Sequence, residues 1–475
     1  MPGREAGQTD AEVTPMAEST AETRDIRDSL YGLTPNVVDA VRDALEAQDA
    51  ERVRRLVKPL HYTDVADLLE RLSFEQRQQA VEAIRADMVP EVLTEVDEAV
   101  REELIERLGI RKVAAAVTEM DTDDAVEVIE DLDKDVQRQV LQALPAEERA
   151  LVEEALAYPE DSAGRLMQRD FVAVPAFWTV GETIDHMRVA PDLPDAFYDI
   201  FVVDPMHRPV GKLPLSRVAR SRRPVRVSDV MRTNHTQIPV TMDQEEVARL
   251  FRRLDLVSAA VVDDSGRLVG TITVDDVVDV IDEEAEEDMF RLAGVGETDV
   301  HMPALSTARR RTRWLFVTVV KSILASAVIS QFEATIEQMV ALAVLMPIAA
   351  ALAGDAGMQV VTVTVRGLAT KAITAGNMGR AIGKEVVVGA LNGLVFATVM
   401  GVLAGLWFSN ARLGVVLGAA MLFNLVWSGV AGTLIPLALA RVGVDPAIAS
   451  GPFLVTTTDV LGFLSFLGLA ALFLI

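Results

Sequence analysis

Asp459 stands inside the last strongly apolar run of the chain, Ala447–Ile475, directly after Thr456-Thr457-Thr458. An ionised carboxylate at mid-bilayer depth costs about 3 kcal/mol or more, so it faces a protein interior or a wet path. A wet carboxylate at that depth attracts cations. The competing reading is a structural hydrogen bond to a neighbouring helix. A second polar interruption lies upstream, where Pro347 is followed by Ala353-Gly354-Asp355-Ala356-Gly357-Met358-Gln359. Proline removes a helix hydrogen bond, and glycine lets backbone or ligand approach closely. One reading is a broken helix, tolerated at membrane depth only where it is packed in protein or lines a cavity. Small residues also serve plain helix packing, but that reading leaves Asp355 and Gln359 without a role. Glu385 reads as an interfacial anchor or a partner for Lys384.

The elements that must carry these groups are membrane helices. Five apolar segments are drawn at 314–334, 339–368, 383–408, 412–440 and 447–475, each near or above the roughly 20 residues of a spanning helix. Arg309, Arg310, Arg311 and Arg313 precede the first segment. Arg366, Lys371, Arg380 and Lys384 lie between the second and third, and Arg441 between the fourth and fifth. Lys and Arg flank cytoplasmic ends, which places the N-terminal half inside and the C-terminus outside. Lys321, about two turns into the first segment, is expected to snorkel to the cytoplasmic face. Five spans make a thin bundle, so a pore shared by two chains is expected.

Charge is segregated. From Ser306 onward the chain holds 6 acids and 11 bases, so the excess behind its net charge of −26 lies in the part before it. So acidic a chain is a poor candidate for binding nucleic acid. With no cysteine there are no disulfides or thiolate metal sites. The five histidines (His61, His186, His207, His235, His301) form no i, i+3 or i+4 pair, against a zinc site. No nucleophile–base or metal–histidine constellation appears, which argues against an enzyme. No Walker-type phosphate loop is present, which points to passive transport.

Residues 36–157 are rich in Leu, Val, Ala and Glu at helical spacing, after an acidic tail, 1–35, expected to be disordered. Asp64-Val-Ala-Asp-Leu-Leu-Glu-Arg-Leu72 recurs 60 residues on as Asp124-Ala-Val-Glu-Val-Ile-Glu-Asp-Leu132. Stacked helix pairs forming a small superhelical domain follow. Residues 158–290 change to two units, each a strand, an Asp turn, another strand and a helix. Phe201-Val-Val-Asp-Pro-Met-His-Arg-Pro-Val-Gly211 belongs to the first. Ala260-Val-Val-Asp-Asp-Ser-Gly-Arg-Leu-Val-Gly270 belongs to the second, and Met167 and Met231 stand at matching places before them. The tandem resembles a pair of CBS domains. In that family Gly-x-Ile-Thr-x-x-Asp, here Gly270 to Asp276, binds adenine-nucleotide ribose, which implies Thr273 and Asp276. The first unit, with Gly211-Lys-Leu-Pro-Leu-Ser-Arg217, lacks both residues, and ATP binding stays open. Then follows the acidic run 275–288. On a helix its like charges at i, i+3 and i+4 repel, and a hard divalent cation relieves that repulsion with oxygen ligands and water. An ordinary solvated acidic helix is the alternative.

In order and combination the chain resembles the MgtE family of Mg²⁺ channels over roughly 36–475. The carrying stretches are Tyr158-Pro-Glu-Asp-Ser-Ala-Gly-Arg-Leu-Met167, Asp243-Gln-Glu-Glu-Val-Ala-Arg-Leu250, 260–288, Ala341 to Arg366 and Val444 to Gly462. The resemblance implies a multi-domain protein: a helical superhelical N domain (36–157), α/β tandem CBS domains (158–290), a connecting plug helix (291–313) and an all-α transmembrane domain of five helices (314–475). It further implies a homodimer in the inner cell membrane with Mg²⁺ as substrate and regulator. Asp459 would hold a hydrated Mg²⁺ with backbone carbonyls, beside Asp355, Gly354, Gly357 and Gln359. Regulatory Mg²⁺ would bind Asp243, Glu245, Asp255, Asp276, Asp279, Glu284, Glu287, Asp288 and Asp445, with Asp123 and Asp124 as N-domain candidates and the plug helix near Glu297–Arg313. The family motif Gly-Gly-Asn-x-Gly-x-Gln carries Asp355 here in place of Asn. Two alternatives stand beside Mg²⁺ transport: a CBS-regulated transporter of Co²⁺ or Mn²⁺, and a membrane-anchored nucleotide sensor.

Overall fold

The computed structural model describes residues 33–85, 88–190, 193–194, 196–293, 304–374 and 376–474. It divides into two units at Val277/Val278. The expected tail, 1–35, lies outside the described residues as far as 32, and a helix starts at Pro35.

In the first unit the 60-residue repeat is a pair of helix pairs. Helices α1 (Tyr62–Arg71) and α2 (Phe74–Ile84) recur as α3 (Thr122–Glu130) and α4 (Lys134–Ala143). Val65, Ala66, Leu68 and Leu69 are buried in α1, and Ala125, Val126, Val128 and Ile129 are their counterparts in α3. Side chains three and four apart share a helix face, so each repeat turns one apolar stripe inward. Ser73 starts α2 with a capping box closed by Gln76. Arg101, 5% exposed, bonds Asp131, Glu127 and the Thr94 carbonyl at 2.7, 2.7 and 2.9 Å, so the charge of a buried guanidinium is met by two carboxylates.

Two three-stranded sheets follow, β1 (Ala173–Pro175), β2 (Asp199–Val203), β3 (Pro209–Pro214) and β4 (Gln237–Pro239), β5 (Ser258–Val262), β6 (Leu268–Thr273). In each, the first pair is parallel and the second antiparallel, with a register shift in the central strand at Val202/Val203 or Val261/Val262. Asp204 and Asp263 make the two turns, each accepting two backbone N–H bonds. Met167 and Met231 are exchanged between the units. Met167 covers Gly270 of β6 and Met231 covers Gly211 of β3, and a Cβ at either glycine would meet methionine sulfur. Helix α5 (Gln244–Leu254) packs in the second unit, and α6 (Val274–Ala293) begins directly after β6.

Beyond Val277, among the described residues, come five helices long and apolar enough to cross a membrane. They are α7 (Ala304–Ser330), α8 (Ala341–Ala369), α9 (Met378–Trp407), α10 (Ala411–Arg441) and α11 (Pro446–Phe473). A short helix, Glu333–Gln338, links α7 to α8. The expected plug segment, Glu297–Arg313, lies outside the described residues up to 303, and 304–313 run without interruption into the first span as part of α7. A break near Pro347 does not occur, because α8 is continuous through it. One missing backbone bond is tolerated where flanking turns keep theirs inside packed protein. Helices α9 and α10 pack closely along their length. Glycines set that spacing: an added Cβ at Gly389 would sit 2.6 Å from the Leu425 carbonyl oxygen, and one at Gly418 2.9 Å from that of Ala397.

Gly389→Ala gains helix propensity of about 1 kcal/mol but drives a methyl into rigid backbone, an overpacking cost of about 1–3 kcal/mol. The thermal midpoint in detergent is expected to fall. Gly468, with nothing within 4 Å of its Cβ position, is the control, and Gly468→Ala leaves or raises the midpoint. An unchanged midpoint in Gly389→Ala refutes the close crossing.

Candidate functional site

Asp459 is half-buried on α11. The threonines before it are not a row of ligands pointing outward. Thr456 donates to the Pro452 carbonyl at 2.7 Å, Thr457 to Leu454 at 2.8 Å and Thr458 to Leu454 at 3.1 Å. These hydroxyls satisfy carbonyls of a helix that carries Pro452 inside it, and that leaves Asp459 as the charged group of the segment. Helix α7 packs against α11, and the ammonium of Lys321 acts electrostatically on Asp459. Lys321 lies 9 residues from the nearer end of α7, about 14 Å at 1.5 Å per residue.

On α8, Asp355 and Gln359 are exposed at i, i+4, in line with exposed Val344, Ile348 and Ala351. The single chain leaves this face uncovered. Gly354 has nothing within 4 Å of its Cβ position. Gly357 differs from Gly354. It is buried, its Cβ position is 2.9 Å from Leu454, and its carbonyl is 2.8 Å from the Cβ position of Gly432. It is where α8, α10 and α11 cross, so close packing explains it.

At the start of α11, Asp445 caps the helix by accepting from the Ala447 N–H at 2.7 Å. It also accepts from Arg291 Nη1 at 2.8 Å. Arg291 is ion-paired with Glu287 as well. Glu284, Glu287, Asp288 and Arg291 share one half-buried face of α6, whereas Asp279 is exposed. Burial, then repulsion from Asp445 and Glu284, raises the Asp288 carboxyl above its ordinary pKa. Leu292 seats beside Val361, Val365, Ala447 and Leu454. Sequence reasoning missed Arg291, whose only local signal is its place four residues after Glu287.

A second acid cluster lies in the first unit. Asp276 accepts from the Thr273 hydroxyl at 2.7 Å and the Thr273 N–H at 3.1 Å, so the residues of the ribose motif are mutually bonded. Asp276 and Asp123 act on each other electrostatically, and like charges drawn together out of water favour the protonated form. Burial, then repulsion from Asp276 and Asp124, pushes Asp123 well upward. Burial, then Glu127, Asp121 and Asp276, pushes Asp124 up to about 7. One Asp123 carboxylate oxygen is buried with no partner, which suits a hard divalent cation. Asp243 is occupied as the cap of α5, accepting from Glu245 and Glu246 N–H at 3.0 and 3.3 Å. Glu245 lies 3.7 Å from Arg249, and Asp255 ends α5 in the left-handed region at φ 50°. Among the described residues, no three His, Asp or Glu side chains gather closely enough to hold a metal ion.

Family models match along the chain: a divalent cation transporter model over residues 346–469, an MgtE intracellular N domain over 60–161 and a CBS domain over 227–283. A magnesium transporter MgtE of Thermus thermophilus is 34% identical over 441 residues, covering 92% of this chain and 98% of that protein. One from Enterococcus faecalis is 33% identical over 329 residues, covering 69% and 73%. The solved cytosolic domain of the Mg²⁺ channel MgtE in complex with ATP matches at 31% identity, over 51% of this chain and 99% of that one, with a TM-score of 0.48.

The acid cluster has a pH consequence. Its carboxyl pKa values are raised when Asp123 and Asp124 are held against Asp276, so that arrangement takes up protons. Its stability is fully present below the ordinary carboxylate range and is lost as pH rises through about 7. Without divalent ions, hydrogen exchange of Thr122–Glu130 is expected to quicken as pH passes 7, after correction for intrinsic rates, and Mg²⁺ to slow it more at pH 8 than at pH 6. Asp123→Asn with Asp124→Asn flattens this dependence. Protection independent of both pH and Mg²⁺ would remove the cluster from regulation.

Proposed function

The chain belongs to the MgtE family of magnesium transporters, and on that footing we propose that it mediates passive Mg²⁺ uptake through a path shared by two copies and closed by Mg²⁺ inside the cell. The observation that carries this reading is the placement of membrane-embedded polar groups. Asp459 is half-buried on α11, and Asp355 and Gln359 lie on a face of α8 that one chain leaves uncovered. A carboxylate on an uncovered helix face is costly in lipid and stable beside water or a second protein surface. Mg²⁺ sheds its water reluctantly, so a hydrated ion held by one carboxylate per chain and by carbonyls needs no three-acid cage.

The working domains are 36–157, 158–290, 291–313 and 314–475, after a tail 1–35. Arg309, Arg311 and Arg313 at the start of α7, with Arg366, Lys371, Arg380, Lys384 and Arg441, favour a cytoplasmic N-terminus and an external C-terminus in the inner membrane. Regulation works through the acids of α6. At low internal Mg²⁺ they repel. At high Mg²⁺, ions held by Asp276 with Asp123, and by Asp288 and Glu284 with Asp445, favour the closed state. A ligand shifts the equilibrium only by preferring that state. Thr273 and Asp276 would receive ribose if ATP binds. Asp355, which adds one acid per chain on the uncovered face of α8, favours a second reading in which Co²⁺ or Mn²⁺ is also carried, and metal competition during uptake separates the two.

Mg²⁺ influx into proteoliposomes tests the proposal, with internal Mg²⁺ set independently of external. Asp459→Asn is expected to reduce influx to background. Neutralising Glu284, Glu287 and Asp288 together leaves influx at high internal Mg²⁺ roughly tenfold above wild type. Wild-type flux in the Asp459 variant would dismiss that residue from the ion path.

A further inference from the structure

The membrane helices contain a buried polar network that ion binding and regulation do not use. Ser428 of α10 is fully buried, and its hydroxyl lies 2.6 Å from the Ala353 carbonyl of α8 and 2.9 Å from the Asn424 carbonyl of its own helix. Asn424, one turn earlier, is 2% exposed. Its side-chain oxygen accepts from the Ser465 hydroxyl of α11 at 3.0 Å. Its side-chain nitrogen has no partner and lies 3.5 Å from the Cβ position of Gly462, the glycine three residues beyond Asp459. Adjacent turns of α10 thus grip both helices that carry the polar groups of the ion path. Ser428 holds α8 two residues before Asp355, and Asn424 holds α11 six residues after Asp459.

All three helices carry an internal proline, Pro347 in α8, Pro452 in α11 and Pro436 in α10, the last lying beyond both Asn424 and Ser428. A helix that has lost a backbone bond at proline bends easily there. Mg²⁺ is more exacting about geometry than larger divalent ions, and such a site works only while its supports are fixed to about 0.5 Å. In a membrane interior, where apolar contact does not favour one neighbour over another, interhelical hydrogen bonds supply register.

We propose that Asn424 and Ser428 are positioning residues for ion selectivity: α10 acts as a splint that sets the spacing of Asp355 on α8 from Asp459 on α11. The inference rests on the transport reading above. It assigns discrimination between divalent ions partly to two uncharged side chains that face no ion.

The test is the ratio of Mg²⁺ to Co²⁺ influx in proteoliposomes, with half-saturating Mg²⁺ measured beside maximal rate. Misfolding lowers both fluxes together, so the ratio is blind to it. Ser428→Ala and Asn424→Leu are each expected to lower the ratio about fivefold and to raise half-saturating Mg²⁺. Ser465→Ala, at a half-buried position, lowers it in the same direction and adds nothing to Asn424→Leu. Thr433→Val is the control. Thr433 is also buried on α10, but its hydroxyl bonds only the Gly429 carbonyl of its own helix, so the ratio stays at the wild-type value. An unchanged ratio in Ser428→Ala and Asn424→Leu, or an equal drop in Thr433→Val, overturns the proposal. Absence of influx in the unaltered protein would instead overturn the transport reading itself.

Discussion

A negative charge withdrawn from water must be met by a cation, a proton or a set of donors, and the functional half of this structure is organised around that requirement. Asp445 is met by a guanidinium and a backbone N–H. Asp276 is met by the Thr273 hydroxyl and N–H, and burial beside Asp123 and Asp275 raises its carboxyl toward the protonated form. Asp459 has the ammonium of Lys321 acting on it from the neighbouring helix. These partners differ in how readily a divalent ion replaces them. The neighbouring Asp124 carboxyl, raised to about 7, loses its proton near neutral pH, whereas an arginine stays charged at every physiological pH and must move away. On the proposed regulatory reading the two acid clusters would answer to different variables, one to pH and Mg²⁺ together, the other to Mg²⁺ against a tethered cation.

The apolar helices meet a complementary constraint. Lipid contacts do not favour one helix neighbour over another, so position comes from close crossings and buried polar bonds. Gly389 and Gly418 bring α9 against α10, and Gly357 lets α8 cross both α10 and α11. Ser428 and Asn424 then fix rotation and register at the same crossing. Most of α10 is buried while α7 and α9 are largely bare in one chain. The central helix thus carries no ion-facing charge of its own, and it determines where the charges on its neighbours stand.

Much of this was legible in the residues alone. Four of the five spans begin and end within about five residues of their apolar segments, because length and hydropathy are local properties. The 60-residue repeat places four buried residues of α1 on four of α3, because helical periodicity is also local. The Asp turns at 204 and 263 and the two methionines likewise follow from position in a repeated unit. The illegible features all depend on what lies across space. Pro347 in a strip with glycines is compatible with a broken helix or a continuous one, and only packing around α8 decides. Gly357 and Gly354 are two similar letters three residues apart, yet one is pressed on Leu454 and the other faces open space.

Lys321 shows the same division most sharply. The apolar segment starts at 314, whereas the helix starts at Ala304 and the arginines 309–313 extend it without a break; the Lys321 ammonium acts electrostatically on Asp459 of the neighbouring helix. Hydropathy locates the edge of the lipid-compatible stretch, whereas the backbone helix ignores that edge as long as its bonds continue. A lysine and an acid on adjacent apolar helices each lower the cost of the other away from water. On the proposed transport reading, a divalent ion at Asp459 would contend with a positive charge that the protein itself supplies, so occupancy there would be a balance between a tethered cation and a diffusible one.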